Sequence, residues 1–260
     1  MQKFRFLLTP VVLFPVIFSG FGLAQPGPPQ QTVVIELFTS EGCSSCPPAD
    51  ALLSALSRQR AFGDAELILL GEHVEYWNDL GWKDRFSSPE STQRQWSYVR
   101  QLRLATAYTP QIVIDGHLQG SGGNPSEVQR LIAESARTVK PATVSLRLLS
   151  PEKLQVTVTD ASDARFQVLL AVTEDNLTTS VHGGENGGKV LKHSAVVREL
   201  HSLGDTSNGK FDKTVNLPDK SDWKKGDLRA IVIVQNPNSG VILGAADVPY
   251  AATGAGAAGR

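Results

Sequence analysis

Cysteine is scarce in this sequence: Cys43 and Cys46 are its only two. A closed zinc site takes four ligands, and the other soft candidates are five histidines, none paired at a short ligand spacing. A structural zinc centre is therefore not expected. Charge of one sign is missing as well. The 25 Lys and Arg stand against 26 Asp and Glu, a formal net charge of −1, which gives no broad field for nucleic acid or an anionic membrane surface. A phosphate loop is absent too. HGGENGGKV at 182–190 has the glycines and the lysine, but Val190 stands where Ser or Thr is required and no βα context surrounds it. The stretch reads as a flexible hairpin loop, and His182, His193 and His201, irregularly spaced in or near it, read as solvated strand histidines.

The amino end carries Lys3 and Arg5, an apolar stretch from Phe6, and the small-residue ending Gly22-Leu23-Ala24. This is the pattern of a secretory signal peptide over 1–24, cleaved after Ala24. Pro10, Pro15 and Gly20 interrupt a run only marginally long enough to span a bilayer, so no stable membrane insertion is expected after cleavage. Losing Lys3 and Arg5 takes the formal charge from −1 to −3. The expected location is periplasmic or secreted. There the cysteine pair is held as a disulfide or must be actively reduced.

The chain is organised around VVIELFTSEGCSSCPPAD, residues 33–50. Its β-branched and aromatic run predicts a buried strand, broken by Ser40, Glu41 and Gly42. Pro47 and Pro48 lack N–H groups and fit a helix's first turn, where those donors have no partner. Cys43 is thus expected at or just before a helix N-terminus, where the dipole and free N–H groups favour a thiolate. Cys46, one turn on, is placed to attack a mixed disulfide formed on Cys43. A bridge across two intervening residues is a poor staple, because disulfide stabilisation in the loop-entropy model grows with loop length. Redox chemistry is the favoured reading of the pair.

Downstream, Ala49, Leu52, Leu53 and Leu56 predict an amphipathic helix ending near Gly63, and 65–70 a strand buried on both faces. A helix is expected over 89–107, with Trp96, Val99, Leu102 and Leu104 on its buried side. A strand at 111–114 meets the hairpin signal Asp115-Gly116 and a partner strand from His117, and a helix over 127–139 closes the unit. This order, with the cysteine pair after the first strand, resembles the thioredoxin fold, and FTSEGCSSC resembles the opening of glutaredoxins. Tyr108-Thr109-Pro110-Gln111 stands where thioredoxin-like proteins carry a cis-proline facing the cysteines. The resemblance implies that Thr109 and Pro110 offer backbone groups to an extended substrate.

HVEYWNDLGWKD at 73–84, RQW at 94–96 and YTPQIVIDG at 108–116 are similar to motifs of a family of secreted bacterial thioredoxin-like proteins known as a domain of unknown function. The family brings a fold and an export route but no substrate. His73, Glu75, Tyr76, Trp77, Trp82 and Asp84 follow the C-terminal end of the second strand, where open α/β sheets bind ligands, and are candidates for one wall of the cleft. The alternative is that Trp77 and Trp82 are core or lid residues and His73 a hydrogen-bonded neighbour. Glu36 stands one residue away from the place of thioredoxin's buried acid, and a strand-end glutamate facing solvent is an equal reading.

From Pro141 the texture changes to short alternating strands separated by Gly, Asn, Asp and Pro clusters, as in a β-sandwich of about a hundred residues. The expected organisation is a signal peptide over 1–24, an α/β thioredoxin-like domain over 30–140, an all-β sandwich over 141–250 and a disordered tail over 251–260. No catalytic constellation is evident after 141. The expected function is thiol-disulfide exchange, with Cys43 attacking, Cys46 resolving, and Tyr108, Thr109, Pro110, Trp77 and His73 contacting substrate. No separate cofactor and no metal are required, because the cysteines carry the two electrons. Partners would be a protein or small-molecule thiol or disulfide and a redox partner protein. Two binding-module alternatives stand beside it: a Cu(I) handler using Cys43, Cys46 and His73, and a scaffold whose disulfide is permanent.

Overall fold

The computed structural model describes residues 31–160 and 162–250. The expectations of a signal peptide over 1–24 cleaved after Ala24 and of a disordered tail over 251–260 fall on residues outside those described.

Strand β1 (Thr32–Thr39) runs into helix α1 (Pro47–Gln59), followed by the short β2 (Ala61–Phe62), by β3 (Ala65–His73) and by α2 (Pro89–Gln101). Strands β4 (Gln111–Ile114) and β5 (Leu118–Ser121) form a hairpin, and α3 (Pro125–Ser135) follows. Each helix opens on a proline in its first turn, where the missing N–H costs nothing. Ser88 and Asn124 cap α2 and α3 by accepting the N–H of Ser91 and Glu127. Asp115 and Gly116 both take positive φ, the conformation a two-residue type I′ turn needs.

The second half is built of β6 (Ala142–Ser150), β7 (Lys153–Asp160), β8 (Gln167–Glu174), β9 (Leu177–Ser180), β10 (Val190–His193), β11 (Val196–Asp205), β12 (Lys210–Asn216), β13 (Leu228–Gln235) and β14 (Ile242–Pro249). One sheet runs β14-β13-β8-β11-β3-β1-β4-β5, with β2 beside β3, and so draws strands from both sides of residue 141. The junction is parallel, with Val196 of β11 opposite Gly71 of β3. Strands β6, β7 and β12 form a separate sheet, and among the described residues β9 and β10 pair only with each other.

Alternation along the strands assigns the cores. Val33, Ile35 and Leu37 of β1 pack with Leu53 and Leu56 of α1 and Leu131 and Ile132 of α3. Val34 points the other way and meets Ile68, Leu70, Leu169 and Ile231. The largest core lies between the second sheet and β8, β13 and β14, where Leu146, Val156, Leu170, Phe211 and Val232 interlock.

Three local expectations change. Helix α2 stops at Gln101, and Arg103 takes a positive φ. Its buried side is Ser91, Gln95, Tyr98 and Val99, while Trp96 is 41% exposed, because a polar network rather than an aromatic stripe fixes the rotation of the helix. Helix α3 ends at Ser135, whose hydroxyl donates to Asp115.

Candidate functional site

Cys43 and Cys46 are joined as a disulfide, with Cα atoms 5.4 Å apart. The Cys43 N–H donates to the Ser40 carbonyl and the Cys46 N–H to the Cys43 carbonyl, each at 3.2 Å, so the pair closes a tight turn onto α1. The Cys46 carbonyl accepts from Ala49 N at 2.9 Å and Asp50 N at 3.1 Å. Ser45 Oγ lies 3.3 Å from Cys43 Sγ. A disulfide sulfur has no proton, so the hydroxyl is the donor. Both cysteines are 0% exposed, while Ser44 and Ser45 between them face solvent.

Two segments roof the turn. The Trp77 side chain lies against Gly42, where a Cβ would stand 3.1 Å from Trp77 Cβ, and Trp77 Nε1 donates to Thr109 Oγ1 at 2.9 Å. Trp77 therefore joins the cysteine turn to the Thr109-Pro110 segment, whose peptide bond is cis. The Tyr108 hydroxyl donates to Gln119 Oε1 at 2.6 Å and its carbonyl accepts from Gln95 Nε2 at 2.8 Å. The second segment is 182–189. Asn186 Nδ2 donates to the carbonyls of Glu41 and Cys43 at 2.9 and 2.8 Å, and Glu185 accepts the Ser44 N–H at 3.0 Å. Lys189 Nζ braces Asn186 Oδ1 at 2.9 Å. Gly183 is so close to the Gly81 carbonyl that a Cβ there would overlap it, which fixes this strap against the 75–84 loop.

Beneath the turn lies a buried polar cluster. His73 Nδ1 is 2.6 Å from Asp84 Oδ2, which also accepts the Glu41 N–H at 2.8 Å. Burial works against a charged His73, but the Asp84 carboxylate and its hydrogen bond, with Asp50 and Glu41, outweigh it and hold the imidazole above its ordinary pKa. Burial likewise opposes ionised Asp84, and the His73 charge with two backbone N–H donors brings its carboxyl below the ordinary value. Asp50 goes the other way. Burial raises its carboxyl against the pull of His193 and His73. Trp82 Nε1 donates to Glu41 Oε2 at 2.8 Å, and His193 Nε2 stands 3.4 Å from Glu41 Oε1. The His73 and His193 rings meet edge to face with centroids 4.9 Å apart.

His73, Trp77, Trp82 and Asp84 thus converge around the segment that carries Cys43, directly or through Glu41. Tyr76 instead donates to Gln95 Oε1 at 3.1 Å and is partly exposed, and the Glu75 N–H is held by Thr92. His73, a ligand in the copper alternative, hydrogen-bonds Asp84 and makes no hydrogen bond to either sulfur among the described residues. Glu36 neither faces solvent nor joins this cluster. It is fully buried and points to the α2 side of the sheet, paired with Arg94 and accepting the Tyr98 hydroxyl at 2.6 Å.

A family model described as "Protein of unknown function (DUF1223)" matches residues 34–235. The chain belongs to the DUF1223 family. A crystal structure of an Agrobacterium tumefaciens protein, a structural-genomics target, is similar to it at 27% identity, with a TM-score of 0.67 over 86% of this chain and 96% of that one. No curated protein matches the chain.

The DUF1223 match spans both the cysteine turn and the strap that covers it. Sequence reasoning missed Glu41, Asp50, Glu185, Asn186 and His193. The stretch taken for a flexible loop includes Asn186, which is fully buried, and His193, taken as solvated, is buried against Phe86 and His73. The available signal was glycine density: of the four glycines, 183 and 184 let the strap approach the 75–84 loop at Gly81, Leu80 and Trp82.

Proposed function

We propose that the mature chain is an exported thiol-disulfide oxidoreductase, with a thioredoxin-like first half and a β-sandwich second half that covers and presents the cysteine pair. The observation that carries this reading is the disulfide across the turn that opens α1. It closes a loop of only four residues, for which the loop-entropy relation gives about 2 kcal/mol, less than longer bridges supply. Such a bond contributes little as a staple and sits where a helix N-terminus favours thiolate. The order β1-α1-β3-α2-β4-β5-α3 and the Trp77 link from the cysteine turn to Thr109 support the thioredoxin-like assignment.

In the reducing direction the Cys43 thiolate attacks one sulfur of a substrate disulfide, and the other leaves as a thiolate. Cys46 then loses its proton and attacks Cys43 Sγ, expelling the second substrate sulfur, which takes a proton. The cysteines end as a disulfide, the substrate as two reduced sulfurs, and two electrons have moved. No separate cofactor enters. Substrates are protein or small-molecule thiols and disulfides, and a partner protein resets the pair.

Redox titration of the mature protein in graded dithiol buffers, with alkylation of free thiols and mass readout, tests this. A reversible two-electron transition between roughly −120 and −270 mV is expected. A pair still oxidised below about −300 mV behaves as a structural disulfide. That outcome would favour the second reading, a binding module with a permanent bond, which the 0% exposure of both cysteines favours.

A further inference from the structure

We propose that the groove between α1 and the β9–β10 hairpin binds an extended acidic peptide segment, which enters it at the end next to the disulfide. The proposal rests on the oxidoreductase reading for the peptide's role as substrate; the binding itself stands on the groove.

The groove has a volume of about 600 Å³. One wall is Pro47, Asp50, Ala51, Ser54 and Arg58, steps of three, one, three and four that make a single stripe along α1. The eleven steps from Pro47 to Arg58, at a rise of 1.5 Å each, give about 16 Å of length. An extended chain advances about 3.3 Å per residue, so the stripe holds about five peptide residues. It begins at Pro47, the residue bonded to Cys46.

The other wall comes from Leu177, Val190, Leu191 and Lys192 of the hairpin. Among the described residues, strands β9 and β10 pair only with each other, so β10 keeps a free edge whose main-chain groups suit an added strand. Val190 is 61% exposed, an apolar contact offered at the mouth. Arg58 and Lys192 are both exposed, and among the described residues neither is ion-paired with a carboxylate. The one acid in the lining, Asp50, is 6% exposed at the floor, so the charges that a ligand meets at the surface are Arg58 and Lys192. The surface charge of the groove is therefore positive. Two cations spread along a slot of five-residue length suit carboxylates on one face of a strand, where like-facing side chains recur every second residue.

The test uses the oxidised mature protein and a fluorescein-labelled, cysteine-free hexapeptide of alternating valine and glutamate, with a lysine-for-glutamate peptide as control. Anisotropy should show saturable binding of the acidic peptide, weakening with salt, and none of the lysine peptide. R58E/K192E should lower affinity at least tenfold, and A51W, which fills the groove, should abolish it. No saturable binding, equal binding of the two peptides, or unchanged affinity in both variants would overturn the proposal. The probe has no sulfur, so its binding is read independently of disulfide exchange. Peptide binding by a protein without exchange activity would sink the oxidoreductase reading and keep the groove, while exchange without peptide binding would sink the groove alone.

Discussion

Asn186, from the second half of the chain, holds the main-chain carbonyl of Cys43 at 2.8 Å across a separation of 143 residues. Its amide nitrogen spends its second hydrogen on the Glu41 carbonyl, so one buried side chain ties the strap to both sides of Gly42. With Trp77 on the same glycine, the disulfide is closed from two directions. On the proposed exchange reading, a substrate sulfur would reach Cys43 only when the strap or the Trp77 side lifts.

Replacing Asn186 with Ala removes both hydrogen bonds; the Cys43 carbonyl keeps the Cys46 N–H, while the buried Glu41 carbonyl must find a new partner, a loss of about 1–3 kcal/mol. Spent on strap opening, that corresponds to a roughly 5- to 150-fold faster reduction of the disulfide by dithiothreitol. Alkylation time courses on parent and Asn186→Ala measure it directly. Equal rates would mean that the strap does not limit access.

What could be read from residue names was what short-range physics decides. The apolar run of β1, the prolines opening α1 and the positive-φ pair Asp115-Gly116 each depend on neighbours within a few residues, and each stands where the sequence put it. The pairing of β11 with β3, the burial of His193 and the reach of Asn186 depend on partners more than a hundred residues away. A histidine in an alternating strand looks the same whether its face meets water or Glu41. Trp96 shows the same limit on a helix: spacing allows two faces, and the choice went to Gln95 and Tyr98 because Gln111 and Glu36 needed partners. The cysteine pair was legible, and most of what surrounds it was not.

On the α2 side of the sheet, one guanidinium serves two carboxylates. Arg94 pairs with Glu36 and lies 3.3 Å from Glu72 Oε1. Burial, then the Glu36 charge, pushes Glu72 well above the ordinary carboxylate value against the pull of Arg94. Arg94→Leu leaves an uncompensated buried charge and should cost about 3–5 kcal/mol in urea unfolding. Adding Glu36→Gln removes that charge and should recover part of the loss, because contacting sites do not add. A double variant no better than Arg94→Leu alone would refute the charge account.

The His73–Asp84 pair gives stability a pH signature. The His73 pKa is raised by folding, so its contribution is complete below about pH 6.5 and fades as pH rises through the folded value. The Asp84 pKa is lowered, so its contribution is complete above about pH 3.9 and fades as pH falls below that. Between pH 6 and pH 9 the urea midpoint of the parent should therefore fall. His73→Gln should cost more at pH 6 than at pH 9, with each pKa unit of coupling worth about 1.4 kcal/mol. A variant whose deficit is the same at both values would show that folding does not raise the His73 pKa.

The two cysteines are equally buried, so exposure does not choose between them; their surroundings do. Ser45 Oγ, 3.3 Å from Cys43 Sγ, offers a hydroxyl to a thiolate there, and a hydrogen bond to the charged form lowers its pKa. Cys46 is followed by Pro47 and Pro48, which remove the two nearest main-chain donors of α1. On the proposed exchange reading, these surroundings would make Cys43 the attacking thiolate and Cys46 the resolving thiol. Cys46→Ser should accumulate mixed disulfides on Cys43 when challenged with an oxidised small-molecule disulfide, whereas Cys43→Ser should accumulate at least tenfold less, read by intact mass under acid quench. Ser45→Ala should narrow that difference by raising the Cys43 pKa, followed as thiolate absorbance against pH in the Cys46→Ser background. Equal trapping by the two single-cysteine variants would remove the asymmetry on which the order of attack depends, and the serine hydroxyl would then have no part in the chemistry.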